Sequence, residues 1–315
     1  MTAALLRRLA QLLLVLVGVS ALAFLIVHLV PGDAAQIQLG ATDASAAKLA
    51  ILRHQMGLDR PLAVQYVIWL GHVLHGNLGV SLDTGRPVLR EILDRAPVTA
   101  ELTVAGLVLA ILLAIPAGCA MAALRGGTAD IVVRLLSVIG LTMPSFWLGT
   151  MLLYGAAATL PSLAVVGWVP FSKDPLGNLT RLVLPTIALA LPVFASLARI
   201  LRAALAEALA QDYVRTARAK GVPPWLVLAR HALANAIIPF MTSAGILAGY
   251  LFGGSVVVEQ VFALPGLGRL MVGAIESRDY PLVQAAILLA TTIFVVVNFL
   301  VDMLVMAADP RARAA

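Results

Sequence analysis

The segment Glu207–Pro239, EALAQDYVRTARAKGVPPWLVLARHALANAIIP, places a polar, basic loop in the middle of an apolar chain. It lies between two apolar runs that are each long enough to cross a bilayer, which takes about 20 residues. A segment in that position must protrude from the membrane. The helices on either side of this loop therefore decide how the rest of the chain is arranged.

A short helix is predicted inside the loop, from Tyr213 to Lys220. Asp212 is a good N-cap, and Gly221 can adopt the left-handed conformation that ends a helix. Two prolines follow, and a second helix is predicted over Trp225–Leu233. A helix of about eight residues is marginal alone in water, because nucleation is unfavourable. The first helix is therefore expected to dock on a partner surface.

Small and basic residues are interleaved in this first helix, as a docking helix requires. The small residues would let another protein approach the backbone closely, and the cations would surround that contact. The residues predicted to dock are Asp212, Tyr213, Arg215, Ala217, Arg218, Ala219, Lys220 and Gly221.

The composition is that of a polytopic membrane protein. Of 315 residues, 61% are hydrophobic and only 12% are charged, too few charges to cover a soluble domain. The single cysteine, Cys119, provides neither a disulfide framework nor a thiolate metal cluster, and it is expected to be a small buried hydrophobe. The net charge of +6 comes from cations scattered along loops, so no nucleic-acid partner is expected.

Six membrane-spanning helices are predicted from the apolar runs. Pro97 is expected to open the second, and Pro144 in the third is either a hinge or a packing kink. The predicted spans are about 9–30, 98–124, 131–160, 182–205, 236–258 and 282–306. The short loops on the side of the polar loop hold most of the cations, which indicates that both termini are cytoplasmic.

Three histidines, His54, His72 and His75, occur in the polar segment between the first two spans. They suggest a metal site, but their spacing to Asp and Glu matches no compact site, so no metal is expected. In the fifth span Gly245, Gly249 and Gly253 form a close-packing stripe. The stripe either packs within this chain or lines a path shared with a second subunit.

Several kinds of chemistry have no motif in this chain. It contains no GxxxxGK[ST], HExxH or GxSxG sequence, so neither ATP binding by a P-loop nor hydrolysis is expected. An ion-coupled secondary transporter would place ionisable residues near the middle of its spans. Asp302 lies in a late span but close to its inner end, so this alternative is not favoured.

The loop sequences DYVRTARAKGV and RHALANAIIP resemble the cytoplasmic coupling loop of permease subunits of ABC importers, in the dipeptide, oligopeptide, nickel and glutathione branch. PGDAA at Pro31, PGLGRL at Pro265 and RDYP at Arg278 are similar to further motifs of that branch. Arg215-Thr216-Ala217 stands where the broader motif has Glu-Ala-Ala.

The resemblance implies an all-α type I importer fold with six transmembrane helices and a small extracytoplasmic subdomain after the first. The implied divisions are 1–31 for the tail and first helix, 32–96 for the subdomain, 97–306 for the permease core with its coupling loop at 207–235, and 307–315 for a cytoplasmic tail. It also implies an external gate segment with Pro265, Gly266, Gly268, Arg278, Asp279 and Tyr280.

The same resemblance implies a function. The chain would be half of the translocation pathway for di- or oligopeptides in the bacterial inner membrane, with nickel or glutathione as alternative substrates. Its partners would be a second permease, two cytoplasmic ATPases that hold ATP and Mg, and an extracytoplasmic solute-binding protein. Substrate choice rests largely with that binding protein.

Overall fold

The computed structural model describes residues 2–29, 46–55, 57–124 and 127–308. Within these residues the chain is helical, apart from turns and an isolated antiparallel bridge between Val80 and Pro87. The helices are α1 Thr2–Leu29, α2 Ala46–Gln55, α3 Leu62–Leu74, α4 Val88–Ala123, α5 Thr128–Thr142, α6 Ser145–Thr159, α7 Pro175–Leu209, α8 Asp212–Ala219, α9 Pro224–Val261, α10 Leu267–Glu276 and α11 Tyr280–Ala308.

Five of the described helices are long and apolar enough to cross a membrane, namely α1, α4, α7, α9 and α11. They correspond to five of the six predicted spans. The third predicted span is not one helix. It is divided between α5 and α6, which have 15 residues each and are separated at Met143–Pro144.

The starts of two spans differ from the prediction. Pro97 does not open a helix, because α4 begins at Val88, where the Pro87 carbonyl accepts from the Glu91 amide at 3.3 Å. Helix α7 begins at Pro175 within the predicted 161–181 loop. Its N-cap is Asp174, whose carboxylate accepts from the Gly177 amide at 2.9 Å.

The predicted second loop helix is also not separate. Residues 225–233 belong to α9, which runs without a break from Pro224 to Val261 and contains a π-helical segment over Val227–Ala232. The predicted break before the fifth span is therefore wrong, because a wider turn absorbs the change of register without ending the helix.

The chain divides into two compact units. Among the described residues, one comprises 98–124, 127–268 and 294–308, and α7 lies at its centre, packed against α5, α6 and α9. Leu197, Leu201 and Leu205 are fully buried in its core. Glycines bring the backbones of its helices together, since a Cβ at Gly118 of α4 would lie 2.9 Å from the Leu201 side chain.

The other unit comprises the described residues 2–29, 46–55, 57–97 and 269–293. Here α1 packs against α3, where the Ser20 and Tyr66 hydroxyls are 2.8 Å apart and Phe24 contacts Tyr66 and Trp69. The PGDAA motif at 31–35 and tail residues 309–315 lie outside the described residues. The side chain of Asp302 is also outside them.

Candidate functional site

The end of helix α8 is a Schellman motif. Gly221 has φ +77° and donates from its amide to the Arg218 carbonyl at 2.9 Å, and the Val222 amide donates to the Ala217 carbonyl at 3.2 Å. These two bonds satisfy carbonyls that the end of a helix leaves without partners. The prediction that α8 ends at Gly221 in the left-handed conformation is confirmed.

A small hydrophobic cluster holds α8 against the start of α9. Val214 and Ala217, three residues apart on one face of α8, are buried against Val227, and Leu209 and Val222 pack around them. Val222 enters this cluster because the Schellman turn directs the chain back over α8. The short helix is therefore supported by its own chain.

This support changes the role of one predicted docking residue. Ala217 was expected to let a partner approach the backbone, but it is only 8% exposed and faces the cluster of Val214 and Val227. Asp212 is also not the N-cap. It is the first residue of the helix, and Gln211 precedes it without a side-chain capping bond.

The free face of α8 is polar and mostly basic. Arg215 lies 3.3 Å from Asp212 in an ion pair exposed to solvent, which contributes little to stability. The side chain of Asn235 on α9 donates to the Tyr213 hydroxyl at 3.0 Å. The exposed residues of the predicted docking set are Asp212, Tyr213, Arg215, Arg218, Ala219, Lys220 and Gly221.

The glycine stripe of α9 has two different environments. A Cβ at Gly245 would overlap Val301 and one at Gly249 would overlap Phe294, so both glycines pack closely on α11. A Cβ at Gly253 would meet nothing within 4 Å. Close packing within this chain therefore explains why Gly245 and Gly249 are glycines. It does not explain Gly253, where the backbone is exposed.

A buried carboxylate shapes the turn that follows α9. Glu259 is 0% exposed, and Thr99 on α4 donates to its Oε1 at 2.6 Å. The Thr99 hydroxyl also accepts from the amide of Leu267, the first residue of α10, at 2.8 Å. A side chain at Gly266 would overlap the Glu259 carboxylate, and a Cβ at Gly268 would lie 2.5 Å from the Val256 Cα. The PGLG turn therefore requires its glycines.

The end of α10 is held by a second buried pair. Asp279 is 0% exposed, accepts from the Ser81 hydroxyl at 2.5 Å and accepts from the Leu282 amide at 3.3 Å, so it caps α11. Arg278 precedes it at φ +56°, an uncommon conformation for a residue with a side chain. Tyr280 is buried, and Pro265 lies in the turn before α10.

The sequence analysis missed Thr99, Glu259 and Ser81 as residues that hold the predicted gate segment. Glu259 could have been found, because a carboxylate near the end of an apolar span, six residues before Pro265, needs a partner. The hydroxyl partners could not. They are ordinary residues 160 and 198 positions away from the carboxylates that they bind.

The histidines do not form a cluster. His54 lies 2.7 Å from Asp59, and this hydrogen bond holds the pKa of the Asp59 carboxyl below its usual value. His75 contacts the Gly71 carbonyl of its own turn at 2.8 Å. In the described part of the chain, no group of three His, Cys, Asp or Glu side chains is placed to hold a metal ion.

Comparison with protein families gives two matches that together cover most of the chain. Residues 114–314 match the family described as "Binding-protein-dependent transport system inner membrane component". Residues 1–103 match the N-terminal region of a membrane component of such systems.

Relatives that align over nearly their whole length are named as permeases of transport systems. The chain is 42% identical over 313 residues, 99% of each chain, to a peptide transport system permease protein of Brucella abortus (strain 2308). It is 39% identical over 308 residues, 98% of each, to a peptide ABC transporter permease protein of Sinorhizobium fredii. It is also 42% identical over 310 residues, 98% of this chain and 97% of the relative, to a glutathione transport system permease protein of Pectobacterium atrosepticum.

A solved structure has the same fold. A chain of the inward-facing MetNI methionine ABC transporter superposes with a TM-score of 0.52 at 16% identity, over 70% of this chain and 96% of its own length. This likeness supports the type I importer arrangement of helices and says nothing about the substrate.

Proposed function

Because this chain belongs to the family of binding-protein-dependent transport system inner membrane components, we propose that it forms half of a peptide translocation pathway. It is a permease subunit of an ABC importer and not an enzyme. Di- or oligopeptides are the proposed substrate, since relatives at about 40% identity over the full chain are named as peptide permeases.

The main support for a coupling mechanism is that α8 is a short helix stabilised by contacts within its own chain. Eight residues of helix are stabilised by the cluster of Val214, Ala217 and Val227 and end in a Schellman turn, so the helix keeps its shape without a partner. Its free face presents Arg215, Arg218 and Lys220. A rigid, basic helix that protrudes between two long apolar helices is suited to dock on a cytoplasmic ATPase.

The connection to α9 makes this docking mechanically useful. Because Val227 belongs to the π-helical segment of α9 and also packs on α8, displacement of α8 is transmitted to the end of a helix of 38 residues. In the proposed cycle, ATP binding draws two ATPases together, α8 moves with them, and the helices open the pathway outward. Hydrolysis returns the pathway to the inward state.

The proposed assembly has this chain, a second homologous permease, two ATPases that hold ATP and Mg, and an extracytoplasmic solute-binding protein. Both termini and α8 face the cytoplasm, following the excess of cations on that side. Residues 32–96 form the extracytoplasmic subdomain, 97–306 the core and 307–315 the tail. The gate segment from Pro265 to Tyr280 then faces outward, where Thr99–Glu259 and Ser81–Asp279 fix its two ends.

Glutathione is the second candidate substrate, because a relative with 42% identity is named as a glutathione permease. Nickel is less well supported, since the described residues offer no group of three metal-binding side chains. An ion-coupled mechanism lacks support as well, because the family is named for its dependence on a binding protein.

The test is purification of the chain from its native membrane with its partners, followed by ATPase assays with binding protein and dipeptides. The proposal predicts a second permease, two ATPases and hydrolysis that dipeptides stimulate. Stimulation by glutathione alone would replace peptide by the second candidate. A lone chain that moves solute along an ion gradient would refute the proposal.

A further inference from the structure

A cavity of about 260 Å³ that is open to its surroundings lies in the larger unit, where three helical elements meet. Its walls come from the α5–α6 break, from the middle of α7 and from α9. The residues that line it are Leu141, Ser145, Leu189, Pro192, Val193, Ser196, Leu247, Tyr250, Leu251 and Gly254. Pro192 is the middle residue of α7, so the cavity lies near the midpoint of a membrane-spanning helix.

The break in the third span produces part of this space. Pro144 has no amide hydrogen, so the Gly140 carbonyl lacks its helical donor and the chain ends one helix and begins another. Leu141 and Ser145, on the two sides of the break, both line the cavity. Non-helical backbone at membrane depth is tolerated where it is buried in protein or lines a water-filled cavity.

The walls combine apolar surface with hydroxyl groups. Ser145, Ser196 and Tyr250 contribute three hydroxyls, and none of the described residues makes a hydrogen bond with them. None of the lining residues is charged. Tyr250 is 67% exposed beside the cavity, far from the ends of its helix.

The uncharged wall with its hydroxyl-bearing residues favours some kinds of bound group over others. An acyl chain offers no hydrogen-bond partner to the hydroxyls of these residues, so it matches the wall less well than an amide does. A metal ion would find no carboxylate, imidazole or thiolate. A group with a fixed charge would find no counter-charge. A peptide amide with a neutral apolar side chain satisfies both the hydroxyls and the apolar walls.

We propose that this cavity is a transit site that receives one neutral apolar side chain of the transported peptide, together with the adjoining amide. The proposal rests on the peptide import proposed above and makes it specific. The cavity volume of about 260 Å³ is smaller than that of pockets for whole drug-sized ligands, which is about 300–1,000 Å³. It therefore suits one part of a peptide and not a whole one.

Two adjacent glycines provide a matched experiment. A Cβ at Gly254 would lie 3.4 Å from Leu189 Cδ1 in ordinary contact, so Gly254→Val narrows the cavity without a severe clash at Cβ. A Cβ at Gly253 would meet nothing within 4 Å, and Gly253 does not line the cavity. Gly253→Val therefore makes the same chemical change on the same helix outside the site.

The measurement is uptake of Ala-Phe and of Gly-Gly by proteoliposomes that contain the whole complex and its binding protein. Gly254→Val should lower the ratio of Ala-Phe to Gly-Gly uptake about tenfold, since a methylene in an apolar pocket changes discrimination by 10-fold or more. Gly253→Val should leave the ratio unchanged. Because the binding protein is the same throughout, its own preference cancels.

The outcomes separate the two proposals. If the wild-type complex takes up neither peptide, peptide import itself is refuted. If it takes up both and Gly254→Val leaves the ratio unchanged, or Gly253→Val shifts it equally, the transit site is refuted. If the complex with Gly254→Val does not assemble, the uptake ratio is measured with the smaller change Gly254→Ala, and an unchanged ratio again refutes the transit site. Tyr250→Phe should lower uptake of both peptides by a similar factor, because both contain the amide.

Discussion

Replacing Gly221 by valine should uncouple transport from ATP hydrolysis while leaving the complex assembled. Gly221 has φ +77°, which a residue with a Cβ adopts at a cost of about 1–2 kcal/mol, and a β-branched residue at a higher cost. A Cβ at this position would meet nothing within 4 Å. The whole penalty is therefore conformational and no packing is lost directly.

The consequence can be estimated from the turn itself. To relieve the strain, the chain must give up the Gly221–Arg218 and Val222–Ala217 bonds and draw Val222 away from Val214. A penalty of about 1.4 kcal/mol or more reduces the population of the intact turn relative to the open one at least about tenfold. We expect coupled transport to fall, by at most the factor by which this ratio falls, because transport depends on the fraction of intact turns.

The assay compares peptide uptake with ATP hydrolysis in the reconstituted complex. Gly76→Val is the matched control, because Gly76 has φ +78° and equally open surroundings but lies after α3. Gly221→Asn should retain most activity, since asparagine tolerates the left-handed conformation better. Normal coupling in Gly221→Val, or an equal loss in Gly76→Val, would refute the claim that this turn transmits the movement.

Three further predictions concern other contacts. Thr99→Val removes a hydroxyl that bonds to a buried carboxylate and to an amide, so it should destabilise the complex by about 1–3 kcal/mol, and Thr99→Ser should restore its thermal unfolding temperature. Equal stability of the two variants would contradict the contact. Gly249→Ala should lower the yield of folded chain by overpacking, at a cost of about 1–3 kcal/mol, whereas Gly253→Ala should not. The yield is measured from the size-exclusion profile in detergent, and a larger loss for Gly253→Ala than for Gly249→Ala would contradict the prediction. Charge reversal at Arg218 and Lys220 should weaken co-purification of the ATPase, and unchanged recovery with unchanged hydrolysis would make these cations a topology signal only.

Local features of the fold could be predicted well from the sequence. The end of α8 depends on residues within one turn, so Gly221 was identified from its neighbours alone. The long apolar runs likewise predicted the spans, since length and hydropathy are properties of contiguous residues.

Features that depend on distant partners could not be predicted. Pro97 looked like a helix start, yet α4 begins at Val88, where Pro87 and the turn before it fix the entry of the chain. The third span was predicted as one helix with a hinge or kink at Pro144, and only the structure shows that it divides there into two helices. The first of them packs closely on α7, since a Cβ at Gly140 would lie 3.2 Å from the Leu191 carbonyl oxygen. Ala217 looked exposed because the partner that buries it, Val227, lies across the turn.

The central claim, that α8 contacts an ATPase, is tested most directly by site-specific cross-linking. Cys119 is the single cysteine, so Cys119→Ser gives a cysteine-free background. A cysteine introduced at the exposed Ala219 should cross-link to the ATPase subunit through a short bifunctional reagent, and the yield should change when ATP is added. A cysteine at Asp83, exposed in the turn before α4, should give no such product. Absence of the Ala219 cross-link in a complex that still hydrolyses ATP and transports peptide would contradict the account.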